Sequence, residues 1–85
     1  RKAEPMKKLC KLSDITPGQH AVVAKLVAKG NMRRRLLDIG LVENTDVECV
    51  GRSPWGDPSA YLIRGAVIAI RSEDSGDVLV FRATD

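Results

Sequence analysis

The chain has 85 residues, enough for one domain and too few to spare much volume for a deep catalytic cleft, since a domain this size buries only about 60–65% of its unfolded surface. At 44% hydrophobic and 29% charged residues it is globular rather than disordered, and its longest apolar run, Ala66 to Ile70, falls far short of the roughly 20 residues of a membrane span. The net charge of +3 is mild, but basic residues cluster at Lys7, Lys8 and Lys11 and again at Arg33 to Arg35, which keeps nucleic acid in view as an alternative partner.

Residues 1–8 are basic and polar, lack the apolar stretch of a signal peptide, and are expected to form a flexible tail ahead of a domain over 9–85. The two cysteines, Cys10 and Cys49, are far apart in the chain; without a signal peptide they read as reduced thiols of a cytoplasmic protein. Leu9, Leu12 and Ile15 recur at spacing three, which fits a short helical turn or an irregular lead-in, and Pro17-Gly18 then marks a turn. His20 to Ala28 is rich in β-branched residues and reads as a strand that Gly30 ends.

Asn31 to Ile39 is the one helix the pattern supports. Asn31 suits the N-cap, and Met32, Leu36 and Ile39 fall on one apolar stripe with Leu37 alongside. Gly40 suits the left-handed position after a helix, and Leu41 the hydrophobic contact that follows it. The charges oppose the helix dipole: Arg33, Arg34 and Arg35 lie toward its positive end and Asp38 toward its negative end, with an Arg34–Asp38 pair as partial compensation.

The remainder is β. Glu43-Asn44 is a turn with Asn44 in the left-handed region, and Asp46 to Arg52 alternates with Val47 and Cys49 on one face. Ser53 to Pro58 is a shaped loop, Ser59 to Arg64 and Ala66 to Arg71 make a hairpin about Gly65, and Ser72 to Gly76 is a polar connection. Asp77 to Arg82 is the last strand, with Phe81 expected in the core. The whole is mainly β: a small closed or partly closed barrel of about five strands with one short helical insertion.

Catalytic groupings are missing from this pattern. The single histidine, His20, has no nucleophile signature around it, and no Gly-rich phosphate loop is spelled out, so the chain reads as a non-enzymatic binding module. His20, Cys10 and Cys49 are ligand types for a transition metal such as Fe2+ or Zn2+, without the close spacing of a dedicated site. A single-strand nucleic-acid binder wants aromatics among basic residues, and only Trp55, Tyr61 and Phe81 are available. Trp55 is either a lid over the barrel end or a contact residue.

Leu12-Ser-Asp-Ile-Thr-Pro-Gly-Gln19, the Val-rich strand, Arg35-Leu-Leu-Asp-Ile-Gly-Leu41, Ser53-Pro-Trp-Gly-Asp-Pro58, and Arg64-Gly65 with Ile68-Ala-Ile-Arg71 together resemble the FeoA family, in order and spacing, from Leu12 to about Val80. The resemblance implies an SH3-like barrel, a type also found at the C-terminus of iron-dependent repressors. It also implies a cytosolic accessory of ferrous iron uptake that docks on FeoB, a membrane transporter with a G-protein domain, and needs no cofactor of its own. The accessory would be cytoplasmic, held at the inner membrane only through that partner, and open to forming homo-oligomers. Glu43-Asn44 departs from the family's usual Pro-Gly, and Trp55 replaces a smaller aliphatic residue. Arg33, Arg34, Arg35, Trp55 and Arg64 are the candidate docking residues, because Arg and Trp are enriched at interface hot spots. A nucleic-acid-binding barrel and a metal-sensing module are the alternatives.

Overall fold

Alternating apolar residues fold back and forth into one antiparallel sheet. The computed structural model describes residues 6–84. In chain order it contains β1 (Met6–Lys11), a 3-10 turn (Leu12–Asp14), β2 (His20–Leu26), α1 (Gly30–Asp38), β3 (Asp46–Arg52), β4 (Ser59–Ile63), β5 (Ala66–Ile70), α2 (Ser72–Ser75) and β6 (Val78–Thr84). The sheet order is β1-β6-β2-β3-β4-β5, and every pairing is antiparallel. Register shifts between Val23 and Lys25, and between Cys49 and Gly51, are irregularities of the kind that bend strands. The bent sheet wraps a core in which Leu12, Ile15, Val23, Leu41, Val47, Tyr61, Ile63, Val78 and Val80 are all at most 1% exposed. Each such side chain contributes about 1.5–3 kcal/mol relative to exposure, so the inward residues supply the main stabilisation.

Six strands stand where about five were expected, and the sixth comes from the supposed tail. Met6 to Lys8 belong to β1, which pairs with β6 from Met6↔Thr84 to Lys11↔Leu79. Residues 1–5 of that tail lie outside the described residues. A lysine-rich run looks like a solvated terminus, yet lysine is also what edge strands carry, and β6 has backbone groups on that side to satisfy. Phe81 is likewise corrected. It is 40% exposed, opposite Leu9, itself 52% exposed, because only the Val78 and Val80 face of β6 turns inward. The polar connection after β5 forms the single turn of α2.

The helix begins earlier than its sequence signal. Lys29, not Asn31, holds the N-cap position, and no side chain bonds back to the helix start. Its end matches the expectation. The Leu41 N–H donates to Leu36 O at 3.0 Å and the Gly40 N–H to Leu37 O at 3.0 Å, the paired bonds of a left-handed cap, with Gly40 at φ 105°. Leu41 is fully buried, Leu36 is 3% exposed, and Met32 and Ile39 pack against the core. A Cβ on Gly40 would stand 2.9 Å from Arg64 Cδ and 3.1 Å from Ile63 Cγ2, so the helix end rests directly on the β4–β5 turn. That turn is Arg64-Gly65 with φ of 51° and 86°, both positive, which suits the right-handed twist of a tight hairpin.

Two consequences are measurable. Gly40→Ala introduces both a disfavoured backbone conformation and a close contact, and is expected to cost about 1–3 kcal/mol in chemical denaturation. Tyr61 donates its hydroxyl to Leu12 O at 3.4 Å, and burial pushes its phenol above the ordinary value of 10.0. Above that pH the unfolded chain releases this proton while the folded protein keeps it, so the unfolded state binds fewer protons and stability falls as pH rises. Guanidinium unfolding compared at about pH 8 and about pH 10.5 is expected to show that loss, and Tyr61→Phe to reduce it. A residual slope from Cys10 remains in the variant, because burial also raises its thiol from 9.0.

Candidate partner-docking surface

α1 carries the basic residues. Arg33, Arg34 and Arg35 are all exposed, and successive helical positions fan them about the axis rather than stacking them. Arg33 and Arg34 border a shallow depression of about 370 Å3 with Leu37 and Asp38. Arg35 overlooks a different groove, of about 430 Å3, between α1 and β5. The expected Arg34–Asp38 pair does not form. Among the described residues the one contact of a basic-type side chain with a carboxylate is His20 Nε2 to Glu48 Oε1 at 3.9 Å. The first turn of α1 holds no acidic residue, and Arg35, expected toward the positive end of the dipole, falls instead in the last turn, where the dipole favours a cation.

Trp55 is 89% exposed, so it is not a lid over the barrel. Its loop is nevertheless well tied. The Ser53 hydroxyl donates to Asp57 O at 2.7 Å and accepts the Asp57 N–H at 3.1 Å, while the Gly56 N–H donates to Ser53 O at 2.8 Å. The Asp57 carboxylate accepts the Ser72 N–H at 2.8 Å and the Ser72 hydroxyl at 3.3 Å, which satisfies an otherwise free donor at the start of α2. Arg52 secures the base of the loop, donating from Nε to Ser59 Oγ and from a terminal nitrogen to Ile15 O, each at 2.9 Å. An apolar side chain held out on an ordered loop loses little entropy on docking, which suits a contact residue.

Arg64 lies at the opposite end of the same hairpin. Ile63 and Ala66 flank its turn, whereas Ser59 and Ile70 pair beside the Trp55 loop. A five-residue strand separates these ends by about 17 Å. The five candidate residues therefore do not converge on one patch: Arg64 stands by the end of α1, the other arginines along α1, and Trp55 beyond α2.

The metal candidates do not meet. Cys49 is fully buried on the inward face of β3, its Sγ 3.7 Å from Gly51 O, while His20 points outward on β2 with its side chain 73% exposed. Cys10 sits on β1, which the sheet order separates from β3 by β6 and β2. Desolvation raises the Cys10 thiol, disfavouring the thiolate that ligates metals. Among the described residues, no three His, Cys, Asp or Glu side chains gather in a metal-holding arrangement. Two features escaped the sequence reading: Glu48 beside His20, and the groove flanking β5. The first is a cross-strand pairing visible only once the register is known. The second had a signal, the uncharged run Ala66 to Ile70.

Comparison with known proteins places this geometry in context. The FeoA domain matches residues 10–82. A curated fusion of Fe(2+) transport protein A with the Fe(2+) transporter FeoB from Porphyromonas gingivalis is 30% identical over 70 residues, 82% of this chain. The chain spans only 8% of that fusion protein's length. The solution structure of a FeoA-like protein from Clostridium acetobutylicum superposes with a TM-score of 0.85 at 29% identity, covering 94% of this chain and 93% of that one. The zinc complex of FeoA from Stenotrophomonas maltophilia, described as a procaryotic SH3 domain protein, gives a TM-score of 0.74 at 27% identity, covering 82% and 87%. The fold is thus the SH3-like one.

Replacing Arg33, Arg34 and Arg35 together with Gln is expected to leave thermal stability nearly unchanged, because all three are exposed and none makes an ion pair among the described residues. A melting temperature lowered by more than about 4 °C would show instead that these side chains hold the fold.

Proposed function

Because the chain belongs to the FeoA family, we propose that it is a non-catalytic accessory of ferrous iron uptake that docks on the cytoplasmic part of an FeoB-type transporter. The observation that carries this reading is the fusion of the two proteins in the Porphyromonas gingivalis relative, where a segment similar to this chain shares a polypeptide with the transporter. Fusion gives two modules a high effective concentration for each other, which is useful when they work in contact. On this reading the chain is cytoplasmic and reaches the membrane only through its partner. No helix among the described residues is long and apolar enough to cross a membrane.

The surface suits docking better than catalysis. The exposed Trp55 and the α1 arginines, which make no ion pair among the described residues, are residue types that anchor interfaces. Iron is cargo of the transporter on this view, and the accessory acts on the transporter rather than on the ion.

Titration of the purified protein against the cytoplasmic part of the transporter, including its G-protein domain, tests the proposal. Saturable binding is expected, weakening with salt, and both Trp55→Ala and the triple Arg→Gln variant are expected to lose at least about tenfold in affinity, or about 1.4 kcal/mol. No binding, together with normal ferrous uptake after deletion, would overturn it.

A further inference from the structure

The outward face of β1, β6 and β2 carries a row of apolar side chains open to solvent. Val78 and Val80 are buried, so Leu79 and Phe81 point outward on β6. The same alternation turns Leu9 and Lys11 outward on β1, where Cys10 packs against the core, and Val22 outward on β2, between the buried Ala21 and Val23. Register sets these residues in line: Leu9, Phe81 and Val22 are neighbours across three strands, and Asp46 of β3 ends the row. Leu9 is 52% exposed and Phe81 40%, side chains that a monomer leaves without a cover.

Charge is divided about this row. On one side Leu79 lies between Lys11 and Lys25, its partners on β1 and β2. At the far end β3 turns Asp46 and Glu48 outward, because Val47 and Cys49 are buried. Neither lysine makes an ion pair among the described residues, and of the two carboxylates only Glu48 has a basic-type neighbour, His20. Glu43 borders a depression together with Lys25 without pairing to it. Two lysines thus stand in a line across the strands and two carboxylates in a line along one strand, with apolar side chains between.

That layout is complementary to itself. An occupant of this face must bring carboxylates to the lysines and cations to the carboxylates, and the chain carries that inverse pattern on the same surface. We propose that the protein self-associates through the β1-β6-β2 face into a two-fold dimer. The axis lies in the face beside Val22, diagonal to the strands, so the across-strand direction of one copy falls on the along-strand direction of the other. Lys25 then meets Asp46 of the other copy and Lys11 meets its Glu48, while Phe81 and Val22 pack about the axis. The strands of the two copies cross at near right angles, one of the two ways in which sheets pack face to face. Each pair forms twice, as in any contact that uses one patch on both copies. Neither Trp55 nor the α1 arginines take part, so the inference stands apart from docking on the iron transporter.

Equilibrium sedimentation of the full chain from about 10 µM to about 1 mM tests this, a range suited to a face smaller than a standard interface. The dimer fraction is expected to rise across the range and to fall in high salt. Phe81→Glu, which puts a charge at the axis, is expected to raise the midpoint concentration at least about tenfold. Asp46→Lys, which sets a cation against Lys25 of the other copy, is expected to do the same. Adding Lys25→Asp to Asp46→Lys exchanges the two charges and is expected to bring the midpoint back to within about threefold of the parent. All three positions are exposed or half-exposed, so an unchanged circular dichroism spectrum is expected of each variant. A monomer up to about 1 mM overturns the proposal. So does a dimer that Phe81→Glu leaves unmoved, or a double variant no tighter than Asp46→Lys alone.

Discussion

At Gly40 the helix end and the β4–β5 turn occupy the same space, and the missing Cβ is what lets them. The Arg64 Cδ and Ile63 Cγ2 atoms already stand 2.9 Å and 3.1 Å from where that carbon would be. The backbone there has φ of 105°, which a side chain would disfavour independently. Because the chain reverses at this point, Leu41 drops into the core and Leu36 follows from one turn earlier. α1 is thereby fixed beside the hairpin at its C-terminal end, and a groove runs between it and β5.

The polar side chains divide into those consumed by the fold and those left over. Arg52 and Asp57 are consumed: one ties β3 and β4 to the lead-in at Ile15, the other ties the Trp55 loop to α2. Arg33, Arg34 and Arg35 are left over, exposed and without an ion pair among the described residues. Charges with no partner among the described residues, and an indole 89% exposed on an anchored loop, are what the proposed docking role would use. The division gives a physical reason to look for function in binding rather than in chemistry.

How much was legible depended on whether a signal was local. Gly40 and Leu41, Asn44 at φ 72°, and the Gly65 hairpin were readable because one residue's backbone preference settles each. The inward face of β3 was readable from alternation, as the burial of Val47 and Cys49 shows. β1 was not, because a lysine-rich segment becomes a strand only when β6 offers an edge. Phe81 misled for the opposite reason: both faces of β6 are apolar, and nothing local says which one packs inward. The candidate site suffered most, since residue type nominated Arg64 and Trp55 together while the hairpin places them at opposite ends.

By itself the sequence determined the mainly β class, the position of the helix and its stop, and the family, since each follows from short-range backbone preferences or from an ordered string of motifs. Only the tertiary structure decided the sixth strand, the separation of His20, Cys10 and Cys49, the idle charges on α1 and the open edge of β5. These depend on register and on which strand ends the sheet. Register is set by pairing between segments distant in the chain, and a shift of one residue would exchange every inward side chain for an outward one.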